Sequence, residues 1–302
     1  MELVGERPEL MTVSHSLPSI TDERRSLPSD GWFRALFDDA ALFPPRKAST
    51  AEAVAEHVQW RASSDAKLVG PFVCSDEQWP SVRDVLPPGG LRIALTLPRG
   101  IKAAGRVIEE MSSVGVSLAQ VESTVDPRSL ERSLDALQQM VPEGVPMYGE
   151  IPIGQVDATL CERLVARSVR LKLRTGGTRA DAFPPEEALA SAIWLCSQHG
   201  LPFKLTAGLH GAVRHRDPVT GFEHHGFLNV LLATSAAVRG SDIAGVATIL
   251  GVESRGDVAE AVLTLDEGWV SPVRAGFLSL GTCSIDEPLT DLRQLGLVPK
   301  EA

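Results

Sequence analysis

From about residue 50 onward the chain alternates between two hydrophobic patterns. Short extended runs are followed by stretches with apolar residues at helical spacing, and Gly, Pro or Asp marks the joins. The runs LVGPFVC (68–74), LRIALTLP (91–98), SLAQVEST (117–124), PMYGEIP (146–152), VRLKLRTGG (169–177), PFKLTAGLH (202–210) and AGFLSLGTCS (275–284) read as strands, with FDDAALFPP (37–45) as the first. Helical candidates lie between them: STAEAVAEHVQW, IKAAGRVIEEMSSV, DPRSLERSLDALQQM, DATLCERLVARS and PPEEALASAIWLCSQHG, with IDEPLTDLRQLGL as the last. Several open on Ser, Asp or Pro, the residues that start helices. Eight strands each followed by a helix require parallel pairing and predict a closed α/β fold, the (β/α)8 TIM barrel. An open doubly wound sheet usually carries a glycine-rich phosphate loop after its first strand, and FDDAALFPP has no such motif. The expected organisation is a flexible arm over residues 1–30 and one barrel over 31–302, with a long insertion between strands seven and eight at about 209–274.

Side chains alternate along a strand, so one face meets the helices and the other the barrel interior. In VRLKLRT, Val169, Leu171 and Leu173 face outward, which turns Arg170, Lys172 and Arg174 inward. In FKLTAG the same rule sends Phe203 and Leu205 out and Lys204 and Thr206 in. Gln120 and Glu122 share one face of their strand, Tyr148 and Glu150 share one face of theirs, and Thr96 sits near the end of RIALTLP. Barrel enzymes work at the carboxyl ends of the strands. Four consecutive strands therefore aim Glu122, Glu150, Lys172 with Arg174, and Lys204 at one space. Such a cluster is either a site or a salt-bridged plug, and buried charge is weak support for stability alone.

Lys172-Leu173-Arg174-Thr175-Gly176 resembles the K-x-x-T-G strand that carries the Schiff-base lysine of deoxyribose-phosphate aldolases. Lys204-Leu205-Thr206-Ala207-Gly208 is similar to that family's K-x-x-G-G element, and Gly281-Thr282-Cys283-Ser284 resembles its phosphate-binding loop. The three motifs come in the family's order. The resemblance implies a class I aldolase-like lyase in which Lys172 is the nucleophile and Lys204 the neighbour that eases loss of its proton. It also implies that Gly281, Thr282 and Ser284 bind a substrate anion. The chain departs from the family in offering Glu122 and Glu150 where the proton shuttle is an aspartate, and in having Leu209-His210 after Gly208. Arg174 suits bidentate binding of a carboxylate or phosphate, with Thr175, Gly176 and Thr206 beside it. Gly176-Gly177 permits close backbone approach to an anion.

Four of the seven histidines, His210, His215, His224 and His225, fall just past the seventh strand. His210 ends the strand and is the one placed to enter the site as an acid–base group. His210, His224 or His225 with Glu150 or Glu122 form an alternative metal set, although no H-x-H or H-E-x-x-H spacing is present. A polar loop with solvated histidines suits His215 better. Asp38 and Asp39 lie on the first strand, and Asp39 is assigned to the mouth, where it holds a substrate hydroxyl or a metal; a local cap or salt bridge is the other reading.

A net charge of −10 argues against nucleic acid and anionic membranes as partners. The polar N-terminal stretch does not read as a secretory signal, and Cys74, Cys161, Cys196 and Cys283 form no C-x-x-C pair. These features predict a cytoplasmic protein with reduced thiols, Cys161 and Cys196 packing in helices and Cys74 inert. The leading expectation is a lyase or isomerase using a Lys172 imine on a small, anionic carbonyl substrate without cofactor, in a chain that could form homo-oligomers. Two rivals stand beside it: a barrel lyase or hydrolase using a divalent metal, and a non-catalytic binding barrel.

Overall fold

The computed structural model describes residues 27–300. The expected arm therefore lies, apart from residues 27–30, outside the described residues. The barrel strands are β1 (Phe37–Asp39), β2 (Val69–Ser75), β3 (Arg92–Leu97), β4 (Ser117–Thr124), β5 (Met147–Glu150), β6 (Val169–Arg174) and β7 (Phe203–Thr206). A short hairpin follows, β8 (His215–Arg216) with β9 (Glu223–His224), before the last barrel strand β10 (Phe277–Thr282). The eight barrel strands pair in parallel in the closed order β1-β10-β7-β6-β5-β4-β3-β2, which is the (β/α)8 barrel the alternation predicts.

The helices are α1 (Thr50–Ala62), α2 (Trp79–Arg83), α3 (Ala104–Ser113), α4 (Leu130–Met140), α5 (Ala158–Ala166) and α6 (Glu186–His199). After β9 come α7 (Phe227–Val238), α8 (Ile243–Leu250), α9 (Arg255–Leu263) and α10 (Val270–Gly276), and after β10 comes α11 (Asp286–Gln294). The start signals act as expected: Ser49 Oγ accepts the Glu52 N–H of α1, and Asp157 Oδ1 accepts the Leu160 N–H of α5 at 2.7 Å. At the other end of α6, Gly200 takes the left-handed conformation (φ 61°) that closes the helix. Among the described residues no helix is long and apolar enough to cross a membrane.

The outward faces of β6 and β7 (Val169, Leu171, Leu173, Phe203 and Leu205) are all buried against the helix layer. The segment 209–274 contains more than an insertion. Its helix α7 packs between α6 and α10 and against β10, and it sets Phe227 edge-on to Phe37 of β1 at 5.3 Å between ring centroids. It is thus the barrel's own seventh helix, buried around most of its circumference. Asn229 braces this region: its Oδ1 accepts from Arg214 N at 2.9 Å, and its Nδ2 donates to the carbonyls of Ile249 and Val252. The added parts are the β8–β9 hairpin, which stands over the barrel mouth, and α8, α9 and α10.

Candidate active site

Inside the barrel the charged side chains form one hydrogen-bonded chain from floor to mouth. Lys204, on β7, is fully buried and donates to Asp38 Oδ2 and, at 2.5 Å, to Glu122 Oε1. Glu122 Oε2 lies 2.8 Å from Lys172 Nζ, and Lys172 Nζ lies 2.9 Å from Glu150 Oε2. Glu150 Oε1 then takes both Nε and Nη2 of Arg174, whose side chain is half exposed at the rim. The strand register accounts for this order, since Glu150 pairs with Lys172, Lys172 with Lys204, and Arg174 with Thr206 across neighbouring strands. Three carboxylates thus face three cations.

The floor carries further polar contacts. Gln120 Nε2 donates to Asp38 Oδ2 at 3.1 Å and to Glu122 Oε1 at 2.8 Å, and Ser279 Oγ donates to Asp38 Oδ2 at 3.0 Å. The Tyr148 ring lies beneath Lys204, its centroid 5.5 Å from Nζ, and its hydroxyl accepts from Arg170.

Burial pulls the Lys204 ammonium down, but the Asp38 and Glu122 carboxylates outweigh it and hold Lys204 protonated well above its ordinary value. For Glu122, burial pushes up while Lys172 and Lys204 pull down, and the cations win, leaving it at about 2. Asp38 goes the other way, raised chiefly by burial. Glu150 is lowered, its burial outweighed by Lys172 and Arg174.

Glu122 has a folded pKa below its ordinary 4.5, so its stabilising effect is fully present above that value and is lost as the pH falls toward about 2. The gap corresponds to on the order of 3 kcal/mol. Urea midpoints measured from about pH 6 downward should fall most steeply in that window, and Glu122→Gln should flatten the descent. Equal slopes in the two proteins would show that Glu122 does not carry this linkage.

A cavity of about 1340 Å³ opens above the chain, lined by Glu122, Glu150, Lys172, Arg174, Lys204 and Thr206 and by parts of the hairpin. His210 and the loop residues Gly281 and Cys283 also line it. His210 Nδ1 lies 4.0 Å from Cys283 Sγ and 3.0 Å from Glu287 Oε2; these two partners raise its pKa to about 10.

Other residues singled out in the sequence lie elsewhere. Asp39 is not at the mouth. Its Oδ2 is 2.9 Å from His57 Nδ1 on α1, outside the barrel, and Asp38 is the inward member of the pair. Phe37 faces the helices, so alternation turns the next residue in and Asp39 out. Thr175 is buried with its hydroxyl donated to Ala207 O at 2.6 Å. Gly176 packs on Gly208, where a Cβ would meet Gly208 Cα at 2.6 Å, so this glycine serves a close contact between two loops. Thr282 Oγ1 donates to Ser284 O, and Ser284 Oγ accepts the Glu287 N–H at the start of α11. The phosphate-loop resemblance thus brings Gly281 and Cys283 to the cavity, while the two hydroxyls turn back into their own loop.

Of the other histidines, His215 and His224 line the same cavity as His210, and His225 does not. His225 is buried with Nε2 2.8 Å from Pro184 O, and His224 lies against Phe183. His215 is half-buried in the hairpin, with its ring 5.3 Å from that of His224. Among the described residues no three His, Cys, Asp or Glu side chains are grouped to hold a metal, so the set His210, His224, His225 and Glu150 does not fit one.

Sequence reasoning missed Ser279 and the part played by Gly70. A Cβ on Gly70 of β2 would overlap the Asp38 carboxylate, so the missing side chain makes room for that acid. Gly70→Ala should therefore destabilise the fold by about 1–3 kcal/mol, read by urea unfolding. An unchanged midpoint would mean that Asp38 has another place to go.

No known protein-family profile and no curated protein matches the sequence. Solved structures of low similarity include the carboxyl transferase domain of Rhizobium etli pyruvate carboxylase with pyruvate and biocytin. That match has 12% identity and a TM-score of 0.43 over 82% of this chain and 49% of that one, so the chain spans about half its length. Another is an archaeal fructose-1,6-bisphosphate aldolase whose catalytic lysine is bound to the carbinolamine intermediate. It has 13% identity and a TM-score of 0.35, over 88% of this chain and 93% of that one.

Proposed function

We propose that this protein is a small-molecule enzyme, a lyase or isomerase of carbonyl compounds that works through an imine on Lys172. The observation that carries the reading is the position of Lys172 Nζ: it lines the cavity at the carboxyl ends of the strands, between carboxylates at 2.8 and 2.9 Å. A lysine amine attacks a carbonyl only after shedding its proton, and it needs a nearby group to take that proton and return it to oxygen. Glu150 is that group, since it lines the cavity, touches Nζ and, unlike Glu122, does not also hold Lys204.

In the proposed sequence Lys172 Nζ bonds to the carbonyl carbon, and the C=O π pair takes a proton by way of Glu150. A second proton passes from the nitrogen to that hydroxyl by way of Glu150, and the hydroxyl leaves as water while the nitrogen lone pair forms the iminium C=N. The iminium nitrogen then accepts the electron pair as the bond from the adjacent carbon breaks and C=C forms. In a carbon–carbon cleavage the proton of the β-hydroxyl passes to a carboxylate as the second carbonyl forms. The resulting enamine is protonated, and water releases the product and the free lysine. In an isomerisation a carboxylate instead takes the proton from the carbon beside the iminium, the C–H electron pair passes to the nitrogen to give the enamine, and a proton returned at another position precedes release by water.

Lys204 stays cationic throughout, held by Asp38 and Glu122. It shares Glu122 with Lys172, one ammonium on each oxygen of that carboxylate. Arg174 fixes Glu150 from the rim by two donors on one oxygen. The reading needs no group beyond these side chains.

Borohydride reduction in the presence of simple aldehydes tests it. A stable adduct of one aldehyde per chain, seen by intact mass, is expected; an unmodified chain across aldehydes and ketones would rule the imine out.

A further inference from the structure

The cavity has a second functional surface away from the lysines. Phe183, in the loop after β6, meets Phe222 and His224 of the hairpin with ring centroids 5.4 and 4.5 Å away and tilted planes. All three rings are half-buried, and all three line the cavity. Burial and the neighbouring His215 lower the His224 pKa, so this imidazole is a neutral aromatic face at ordinary pH. Val219, at the hairpin tip, is 89% exposed and lines the same opening.

Aromatic side chains left half-open to a cavity are costly to keep wet, and they recover that cost by stacking on a flat apolar ligand. The aromatic wall and the lysine line one cavity of about 1340 Å³, so a single ligand has room to touch both. The cations that line the opening are each paired with a carboxylate, His210 with Glu287 and Arg174 with Glu150 among them, which leaves no unpaired cation there for a phosphate among the described residues. Arg214 is bound to Glu186 at 2.7 Å and Arg255 to Asp291 at 2.8 Å, while Glu253, Asp286 and Glu287 add negative charge to the lining. The Thr282 and Ser284 hydroxyls are occupied within their own loop.

We propose that the substrate is an uncharged carbonyl compound bearing an aromatic ring, the ring stacked on Phe183, Phe222 and His224 while the carbonyl reaches Lys172. This rests on the imine reading above and adds the substrate class to it. The test compares Lys172 adduct formation by 3-phenylpropanal, propanal and glyceraldehyde 3-phosphate at equal sub-saturating concentration, with borohydride present. 3-Phenylpropanal should label at least about tenfold faster than either of the others, and Phe183→Leu should cut that preference to within about threefold.

Equal labelling by the three aldehydes, or faster labelling by the phosphate, would overturn the proposal while leaving the imine intact. Binding of 3-phenylpropanol, which has no carbonyl, is followed by NMR in the same two proteins and tests the wall separately. Binding weakened about tenfold by Phe183→Leu supports the ring surface, and binding insensitive to Phe183 overturns it. A chain that no aldehyde labels would instead refute the imine, with the alcohol still deciding the wall.

Discussion

Lys172→Met should leave a folded barrel that no aldehyde can label. The methionine keeps the volume of the lysine stem but removes the amine, and with it every step that passes through a covalent nitrogen. Both carboxylates keep a second cation, Lys204 for Glu122 and Arg174 for Glu150, so no buried charge is stranded. Stability should therefore fall by no more than about 1–3 kcal/mol. Turnover of any substrate later found should fall by on the order of 10³-fold or more, because no neighbouring group replaces the bond. Retained turnover in a folded Lys172→Met protein would remove the residue from the chemistry.

Lys204→Met should fail differently, through the fold. Lys204 is the only cation within ion-pair distance of Asp38 among the described residues, and Asp38 is almost fully buried. Removing one partner of such a pair costs about 3–5 kcal/mol, because the other charge stays in the interior without compensation. For a chain of this length that lowers the melting temperature by roughly 6–10 °C at about 2 °C per kcal/mol. Gln120 and Ser279 still donate to Asp38, but two neutral donors do not replace an ammonium. Adding Asp38→Asn removes the stranded charge and should recover more than half of the loss, measured by thermal unfolding of the single and double variants. Strict additivity of the two substitutions would show that the pair is not coupled in this way.

The contrast between the two lysines was partly legible in the sequence. Alternation on VRLKLRT and FKLTAG turns both inward, and the strand-end rule for barrels puts them with Glu122 and Glu150. The sequence could not say that Lys204 sits deeper, because depth depends on the stagger between β6, β7 and β1. The choice of Asp39 over Asp38 failed because β1 is only three residues long, too short for a visible alternation; its single outward marker is Phe37.

The hairpin was invisible for a related reason. Each of its strands has two residues, set in a polar stretch with no periodicity to read. Phe183 was passed over because it stands in the polar loop GGTRADAFPP, and only the folded hairpin brings Phe222 and His224 against it. The GTCS loop shows how a motif can match in letters and differ in use. Its hydroxyls satisfy backbone groups within the loop and at the start of α11, a local competition that residue types alone do not reveal.

The most direct test of the central claim is to locate the covalent bond. After borohydride reduction with 3-phenylpropanal, peptide mapping by mass spectrometry should find the added mass on Lys172, with the exposed Lys47, Lys67 and Lys102 labelled no more than in Lys172→Met. Label on Lys204, or spread evenly over the surface lysines with Lys172 unmodified, would contradict it.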